Sequence, residues 1–202
     1  MMKIDATIVE EARKFVIDKL DKDLPDNYFY HNKKHTLDVL QNSEIIAYHS
    51  VLNQEDKRIL QCGALFHDLG YIDGFDEHEA KSAAYADEFL KLKNVDANII
   101  DEVKQAILST KMPQKPRNKI SRILCDADLM YLSDELHYFD EAELLRKEWI
   151  ETGKSYMSEK EFYKNSLKFF ENHHYHTKYG KQVLSPGKEK IYRDIQKKYA
   201  EM

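Results

Sequence analysis

Apolar residues recur at intervals of three and four positions along most of the chain, which is the pattern of amphipathic α-helices. Strand signals are scarce, because β-branched runs are short and glycine and proline number only 6 and 4. The pattern therefore predicts an all-α, single-domain bundle of about eight or nine helices. The first five predicted helices are Asp5 to Leu20, one that begins near Asn32, Gln54 to Leu69, Glu77 to Lys91, and one around Ile99 to Ile107. The last four are Lys119 to Tyr131, Asp134 to Thr152, one that begins after Ser158 and one that begins after Ser185. All these bounds are approximate.

Local signals mark several helix ends. Gly70 is well placed to end the third helix in a left-handed conformation. Ser133 is predicted to cap the start of the seventh helix. Ser158 and Glu161 have the spacing of a capping box at the start of the eighth.

Length and charge narrow the class of protein. A chain of 202 residues is long enough for one domain with a sizeable core and short for two. Hydrophobic residues make up 42% of the chain and charged residues 33%, a mixture typical of globular proteins. The net charge of -5 argues against an extended nucleic-acid surface and favours a small-molecule substrate.

The cysteine content and the hydropathy of the chain indicate in which cellular compartment the protein is expected. The only two cysteines, Cys62 and Cys125, lie in apolar helical stretches, which argues against a disulfide framework and favours a reducing compartment. No apolar run approaches the roughly 20 residues of a membrane span. The amphipathic N-terminal stretch lacks the apolar core of a signal peptide. We therefore expect a cytoplasmic protein that does not insert into a membrane.

Four side chains of metal-binding type fall on inward-facing positions of three predicted helices. His35 lies on the apolar face of the second helix, His67 and Asp68 at the end of the third, and Asp126 on the apolar face of the sixth. Buried imidazoles and carboxylates are costly unless they are paired or bound to a metal. Their nitrogen and oxygen donors suit Zn, Fe, Mn or Ni. A shared divalent cation would satisfy all four.

The blocks YHNKKHTLDV, FHDLG and CDADL occur in this order and resemble the HD-domain superfamily of metal-dependent phosphohydrolases over roughly Tyr30 to Met130. The resemblance implies that His35, His67, Asp68 and Asp126 bind the catalytic metal, which could be Mn, Zn, Fe, Ni or Mg, and that Asp68 also serves catalysis. It also implies one HD-type domain over residues 1–202. Its metal-site core would span about 28–132, and helices of 133–202 would complete the fold and the pocket rim.

The YHNxxH block, residues 30–35, is similar to the equivalent stretch of cyclic-nucleotide phosphodiesterases. In those enzymes the first histidine protonates the leaving alkoxide, which makes His31 a candidate general acid. An ordinary imidazole titrates close enough to neutral pH for that role.

The segment FDEHEAKSAA resembles the stretch that follows the HD pair in bacterial HD phosphohydrolases. By this resemblance His78 and Glu79 are candidates to contact the substrate, a bound water or a second metal. Binuclear family members usually carry another histidine before the distal aspartate, and here none occurs between His78 and His137. This departure favours one firmly held metal, with a second ion bound through Asp68 as the alternative.

Basic and aromatic residues supply further candidates for substrate contact. Lys34 and Lys111 are the candidate phosphate-binding cations, and Tyr71 and Phe75 could form a stacking wall for a nucleobase. The tail FFENHHYHTKYG holds a histidine cluster whose role is open, although a place at the pocket rim is favoured: His173, His174 and His176.

The leading functional hypothesis is a phosphohydrolase that cleaves a phosphoester of a nucleotide or cyclic nucleotide by attack of metal-bound water. The partner would be that small-molecule phosphoester, and a homodimer is left open. Two alternatives remain: an HD-fold oxygenase with a di-iron site, and a nucleotide-binding module that has lost turnover. The oxygenase needs more histidine ligands than this interval supplies.

Overall fold

The computed structural model describes residues 2–202, which form nine α-helices joined by loops that include short 3₁₀ and π-helical turns. Within these residues the only β-type pairing is an isolated bridge between Met2 and Val95. The predicted all-α bundle is therefore confirmed. The helices are α1 (Ala6–Asp23), α2 (Lys33–Tyr48), α3 (Gln54–Phe66), α4 (His78–Leu92), α5 (Ala97–Leu108), α6 (Lys119–Asp128), α7 (Tyr138–Glu151), α8 (Glu159–Asn172) and α9 (Ser185–Glu201).

Helix α3 lies at the centre of the larger hydrophobic core and contacts α1, α2, α4, α5 and α6. Its last turns are completely buried, with Leu65 and Phe66 at 0% exposure. A second core is built from α7, α8 and α9, in which Phe162, Tyr163 and Ile195 are buried. The residues that follow α3 therefore begin deep inside the molecule.

Polar residues fix the starts of several helices. Asn32 matters most for the site, because its side chain accepts hydrogen bonds from the backbone N–H groups of Lys34 and His35 at the start of α2. Ser158 and Glu161 form the predicted capping box at the start of α8. Caps of this kind stabilise a helix by about 1 kcal/mol each.

The prediction for Gly70 is wrong. Helix α3 ends at Phe66, and residues Leu69–Asp73 form a 3₁₀ turn in which Gly70 has no left-handed backbone. Glycine is needed there for packing, since a Cβ would lie 2.1 Å from the carbonyl oxygen of His78 and 2.8 Å from the amide nitrogen of Ser82. The Gly70 N–H donates to Ser82 Oγ at 2.8 Å. Gly70 therefore lets the turn after α3 rest directly on α4.

Ser133 does not cap α7. Residues Met130–Ser133 form another 3₁₀ turn, and the Ser133 hydroxyl donates to the carbonyl of Met130 at 2.8 Å. Asp134 instead accepts from the N–H groups of Leu136 and His137, and α7 begins at Tyr138. Helix α6 correspondingly ends at Asp128, three residues before the predicted end.

Both cysteines are free and buried. Burial raises the pKa of the Cys62 thiol to about 12, and burial does the same for Cys125. They therefore pack as small apolar side chains. In residues 2–202, no helix combines the length and the apolar character needed to cross a membrane.

Replacement of Gly70 by alanine should lower the free energy of unfolding by about 2 kcal/mol or more, because the new Cβ meets backbone atoms that cannot move aside. Gly63→Ala is the matched control: its Cβ would lie 3.4 Å from Leu124 and 3.5 Å from Ala106, which is near ordinary contact. Chemical denaturation of both variants tests this difference. Equal stability of the two variants would contradict the packing role of Gly70.

Candidate metal centre and adjoining cavity

Four side chains, from α2, from the two residues that follow α3 and from α6, converge at the end of α3. Donor atoms of His35, His67, Asp68 and Asp128 all lie within 4.8 Å of one another. Asp68 Oδ2 is 3.1 Å from His67 Nε2 and 3.4 Å from His35 Nε2. Asp128 Oδ1 is 3.2 Å from His35 Nε2 and 3.6 Å from His67 Nε2. The donors thus surround a common centre.

The orientation of His67 is fixed by the helix that carries it. Its Nδ1 donates to the carbonyl oxygen of Ala64 at 2.8 Å, so in the neutral ring the lone pair lies on Nε2. That nitrogen lies 3.4 Å from His35 Nε2 and faces the two carboxylates. A carbonyl that holds the far ring nitrogen is the usual support of a metal-binding histidine.

The charge balance of this cluster fits a cation. Within residues 2–202, Asp68 Oδ2 is buried and has no hydrogen-bond donor. Burial disfavours a charged imidazolium, yet Asp128 and Asp68 outweigh it and raise the pKa of His35 to about 9. They also raise the pKa of His67 against its burial. Four lone pairs directed at one centre, in a site that favours positive charge, match the requirements of a divalent metal.

The structure does not bring Asp126 into this cluster, which corrects the ligand set predicted from the sequence. Its buried carboxylate accepts hydrogen bonds from the backbone N–H of His176 at 2.7 Å, and from the N–H and hydroxyl of Thr177 at 2.8 Å and 2.6 Å. Asp128 lies two positions later, about 200° around α6, and joins the cluster instead. Asp126 therefore fastens the segment before α9 to α6.

His31 lies beside the cluster and is held by a residue that the sequence analysis missed. Its Nδ1 donates to Glu148 Oε1. The other carboxylate oxygen of Glu148 accepts from the N–H groups of Tyr30 and His31 at 2.8 Å and 2.9 Å. Burial opposes the charge of Glu148, but these hydrogen bonds lower its pKa overall. Glu148 on α7 thus fixes both the backbone and the ring of His31, whose Nε2 is 3.3 Å from the Tyr71 hydroxyl.

His78 and Glu79 lie on the other side of Asp68. His78 Nε2 is 3.7 Å from Asp68 Oδ1 and 3.6 Å from Glu79 Oε1. The Tyr71 ring is stacked between His78, at a centroid distance of 4.0 Å, and His31, at 4.3 Å. Both predicted residues are therefore next to the cluster, although neither is one of its four donors.

The two predicted cations are held by carboxylates. Lys34 Nζ donates to Asp38 at 2.9 Å and to Glu141 at 2.8 Å, and Lys34 does not line the cavity beside the cluster. Lys111 does line it, but its Nζ donates to both carboxylate oxygens of Glu77 at 2.8 Å. Both lysines are therefore paired with carboxylates in this arrangement.

A cavity of about 600 Å³ opens beside Asp68 and Asp128 and continues between the two cores. Tyr71 and Phe75 belong to its wall, whereas the C-terminal histidines His173, His174 and His176 do not line it. Much of the wall is aromatic, and these lining residues are Tyr30, Tyr71, Phe75, Tyr131, Tyr138, Trp149, Phe162, Phe169 and Phe170.

Comparisons with known proteins agree with this architecture. The family model described as HD domain matches residues 33–131, an interval that contains all four clustered donors. A solved structure from an uncultured Thermotogales bacterium, described as a predicted HD superfamily hydrolase, has a TM-score of 0.62 and 20% sequence identity, over 95% of this chain and 91% of that chain. This likeness supports the fold. No curated protein matches the chain.

Asp128→Asn should lower the metal content of the protein, whereas Asp126→Asn should lower its stability. Asp128→Asn removes a charged donor from the cluster, so the purified variant should hold much less metal than the wild type. Asp126→Asn places an amide where three donors converge, which should lower the free energy of unfolding by about 2 kcal/mol and leave the metal content unchanged at a temperature where the variant is folded. Elemental analysis and denaturation measure both effects. Loss of metal only in the Asp126 variant would contradict this assignment.

Proposed function

We propose, from the premise that residues 33–131 of this chain form an HD domain, that the protein is a metal-dependent phosphohydrolase acting on a nucleotide or cyclic nucleotide. The observation that carries the proposal is the four-donor cluster, in which a buried Asp68 oxygen lacks a hydrogen-bond donor within residues 2–202 and which adjoins a large cavity. Buried charge of this kind is costly without a compensating cation.

The metal ligands would be His35, His67, Asp68 and Asp128. A divalent cation bound there would polarise a phosphoryl oxygen and lower the pKa of a coordinated water toward neutrality. The mixed donor set accepts Mn, Zn, Fe, Ni or Mg to differing degrees. One ion would be held firmly, and the second Asp68 oxygen, which faces His78, offers a place for another.

His31 is the proposed general acid, as in the resemblance of its YHNxxH block to cyclic-nucleotide phosphodiesterases. Its Nδ1 is engaged by Glu148, which leaves Nε2 as the nitrogen that can hold a transferable proton at the cavity. When the phosphorus–oxygen bond breaks, this proton would pass to the leaving oxygen. Glu148 accepts the Nδ1 proton of the imidazolium that would donate from Nε2 and fixes the orientation of the ring, and is therefore a positioning residue.

The cavity supports a nucleotide as the substrate. A volume of about 600 Å³ accommodates a molecule of that size. Its aromatic faces can stack on a planar base, while Asp68, Asp128 and His31 also line it. This arrangement would place the phosphoester at the metal and the base among the aromatic rings.

The two alternatives are less well supported. Within residues 2–202, a single group of four His and Asp donors meets at one centre, whereas the di-iron oxygenases of this fold draw on a larger histidine set. A binding module without turnover would not require His31 to be oriented by a buried glutamate. Both features favour hydrolysis.

Metal-reconstituted protein should release phosphate or nucleotide from at least one member of a panel of nucleotides, cyclic nucleotides and polyphosphates. Asp68→Ala should abolish both the release and firm metal binding, because Asp68 touches both imidazoles. Oxygen consumption on the same panel is the control. Oxygen uptake with two irons per chain, or identical turnover by the variant, would refute the hydrolase assignment.

His31→Asn should lower kcat about a hundredfold or more on phosphoesters with an alkoxide leaving group, the usual contribution of a general acid. The same variant should lose much less activity on p-nitrophenyl esters, whose leaving group departs without a proton. Metal content should stay at the wild-type level. An equal loss on both leaving groups would argue against the acid role and for a structural one.

A further inference from the structure

The cavity beside the cluster is short of positive charge. Five carboxylates line it, whereas its only lysines within the described chain are Lys111 and Lys154, and no arginine lines it. Lys111 is engaged by both oxygens of Glu77. A divalent cation would balance Asp68 and Asp128, but an anionic substrate would still face further carboxylates. Lys154 is therefore the lysine in this cavity whose charge is available to attract an anion.

Lys154 lies in the loop between α7 and α8 and is held by aromatic rings. Its ammonium nitrogen is 3.6 Å from the centre of the Phe75 ring and 4.2 Å from the centre of the Trp149 ring. Within residues 2–202 it makes no salt bridge, and the carboxylates Glu148 and Glu79 act on it through their charge without a hydrogen bond. Aromatic faces attract a cation and still leave its N–H groups free to donate.

This lysine is also close to the proposed reaction centre. Phe75, which carries the ammonium on its face, lies 5.9 Å from the Tyr71 ring and 6.0 Å from the His78 ring, measured between centroids. Tyr71 in turn stacks on His31. Lys154 is therefore separated by the Phe75 ring alone from Tyr71 and His78, which lie beside His31 and Asp68.

We propose that Lys154 is the residue that binds the anionic group of the substrate in this cavity. Its ammonium is held ready over Phe75 and Trp149 and donates hydrogen bonds to phosphoryl oxygens when a phosphoester enters. The proposal rests on the proposed function for the identity of the anion as part of a substrate. It assigns to Lys154 the role that the sequence suggested for Lys34 and Lys111.

The surroundings of Lys154 make its charge sensitive to pH. Burial lowers its pKa to about 8, although the charges of Glu148 on α7 and Glu79 on α4 oppose this change. Because the group is a cation only below its pKa, anion binding that depends on it should be complete near neutral pH and should weaken as the pH rises through about 8. An arginine at this position would keep its charge throughout this range.

Sulfate is the probe, because it resembles a phosphoryl group, is not hydrolysed and keeps its charge between neutral and alkaline pH. Binding to Mn²⁺-loaded protein is followed by calorimetry and by the emission of Trp149, which is the only tryptophan in the chain and lies next to Lys154. The variants are Lys154→Met and Lys154→Arg. Lys147→Met is the matched control, since Lys147 lies over the Phe29 ring at 3.8 Å but does not line the cavity.

Lys154→Met should weaken sulfate binding about tenfold, the worth of roughly one charge-assisted hydrogen bond. Lys154→Arg and Lys147→Met should bind within about threefold of the wild type. Raising the pH through 8 should weaken sulfate binding by wild type but not by Lys154→Arg. Wild-type binding by Lys154→Met, or no binding of sulfate by the wild type, would overturn the proposal.

The measurements distinguish a wrong role for Lys154 from a wrong assignment of the protein as a phosphohydrolase. If no phosphoester is hydrolysed, the sulfate measurements still decide whether Lys154 binds an anion. If hydrolysis is found, Lys154→Met should raise KM about tenfold with a smaller change in kcat, as expected for a group that binds the substrate before the reaction. An unchanged KM would contradict the role of Lys154 while leaving the hydrolase assignment intact.

Discussion

The burial of two imidazoles and two carboxylates where the start of α2 meets the ends of α3 and α6 is the constraint on which the rest of the site depends. The central position of α3 places His67 and Asp68 where water cannot compensate their charges. Asn32 fixes the start of α2 and thereby the position of His35. The close packing of Gly70 on α4 brings His78 and Glu79 toward the free side of Asp68. A bound cation would accept the lone pairs of these four donors and balance the charge of the two carboxylates.

Two further buried carboxylates join the C-terminal helices to this core. Asp126 on α6 accepts three hydrogen bonds from residues 176–177, and Glu148 on α7 accepts the backbone N–H groups of residues 30–31. Both are almost completely buried, so separation of the two parts would leave costly unpaired charges. The same contact from Glu148 orients His31. The cavity and the proposed acid therefore depend on how the C-terminal helices pack.

Periodicity was sufficient to predict the all-α fold and most helix positions, because amphipathic spacing directly reflects burial. It favoured Asp126, which lies on the apolar face of α6, over Asp128, which lies about 200° away. That choice was wrong, because an apolar face also accommodates a carboxylate that accepts hydrogen bonds from another segment. Glu148 lies 117 positions from His31, and no local pattern reports such a contact. Likewise, only the structure shows that the charges of Lys34 and Lys111 are already engaged.

Anomalous X-ray scattering from crystals of the protein grown with Mn²⁺ tests the metal centre most directly. One strong peak is expected about 2.0 to 2.3 Å from His35 Nε2, His67 Nε2 and the facing oxygens of Asp68 and Asp128. No peak is expected at Asp126, whose oxygens are occupied by hydrogen bonds. A peak at Asp126, or no metal among the four donors, would contradict the central claim.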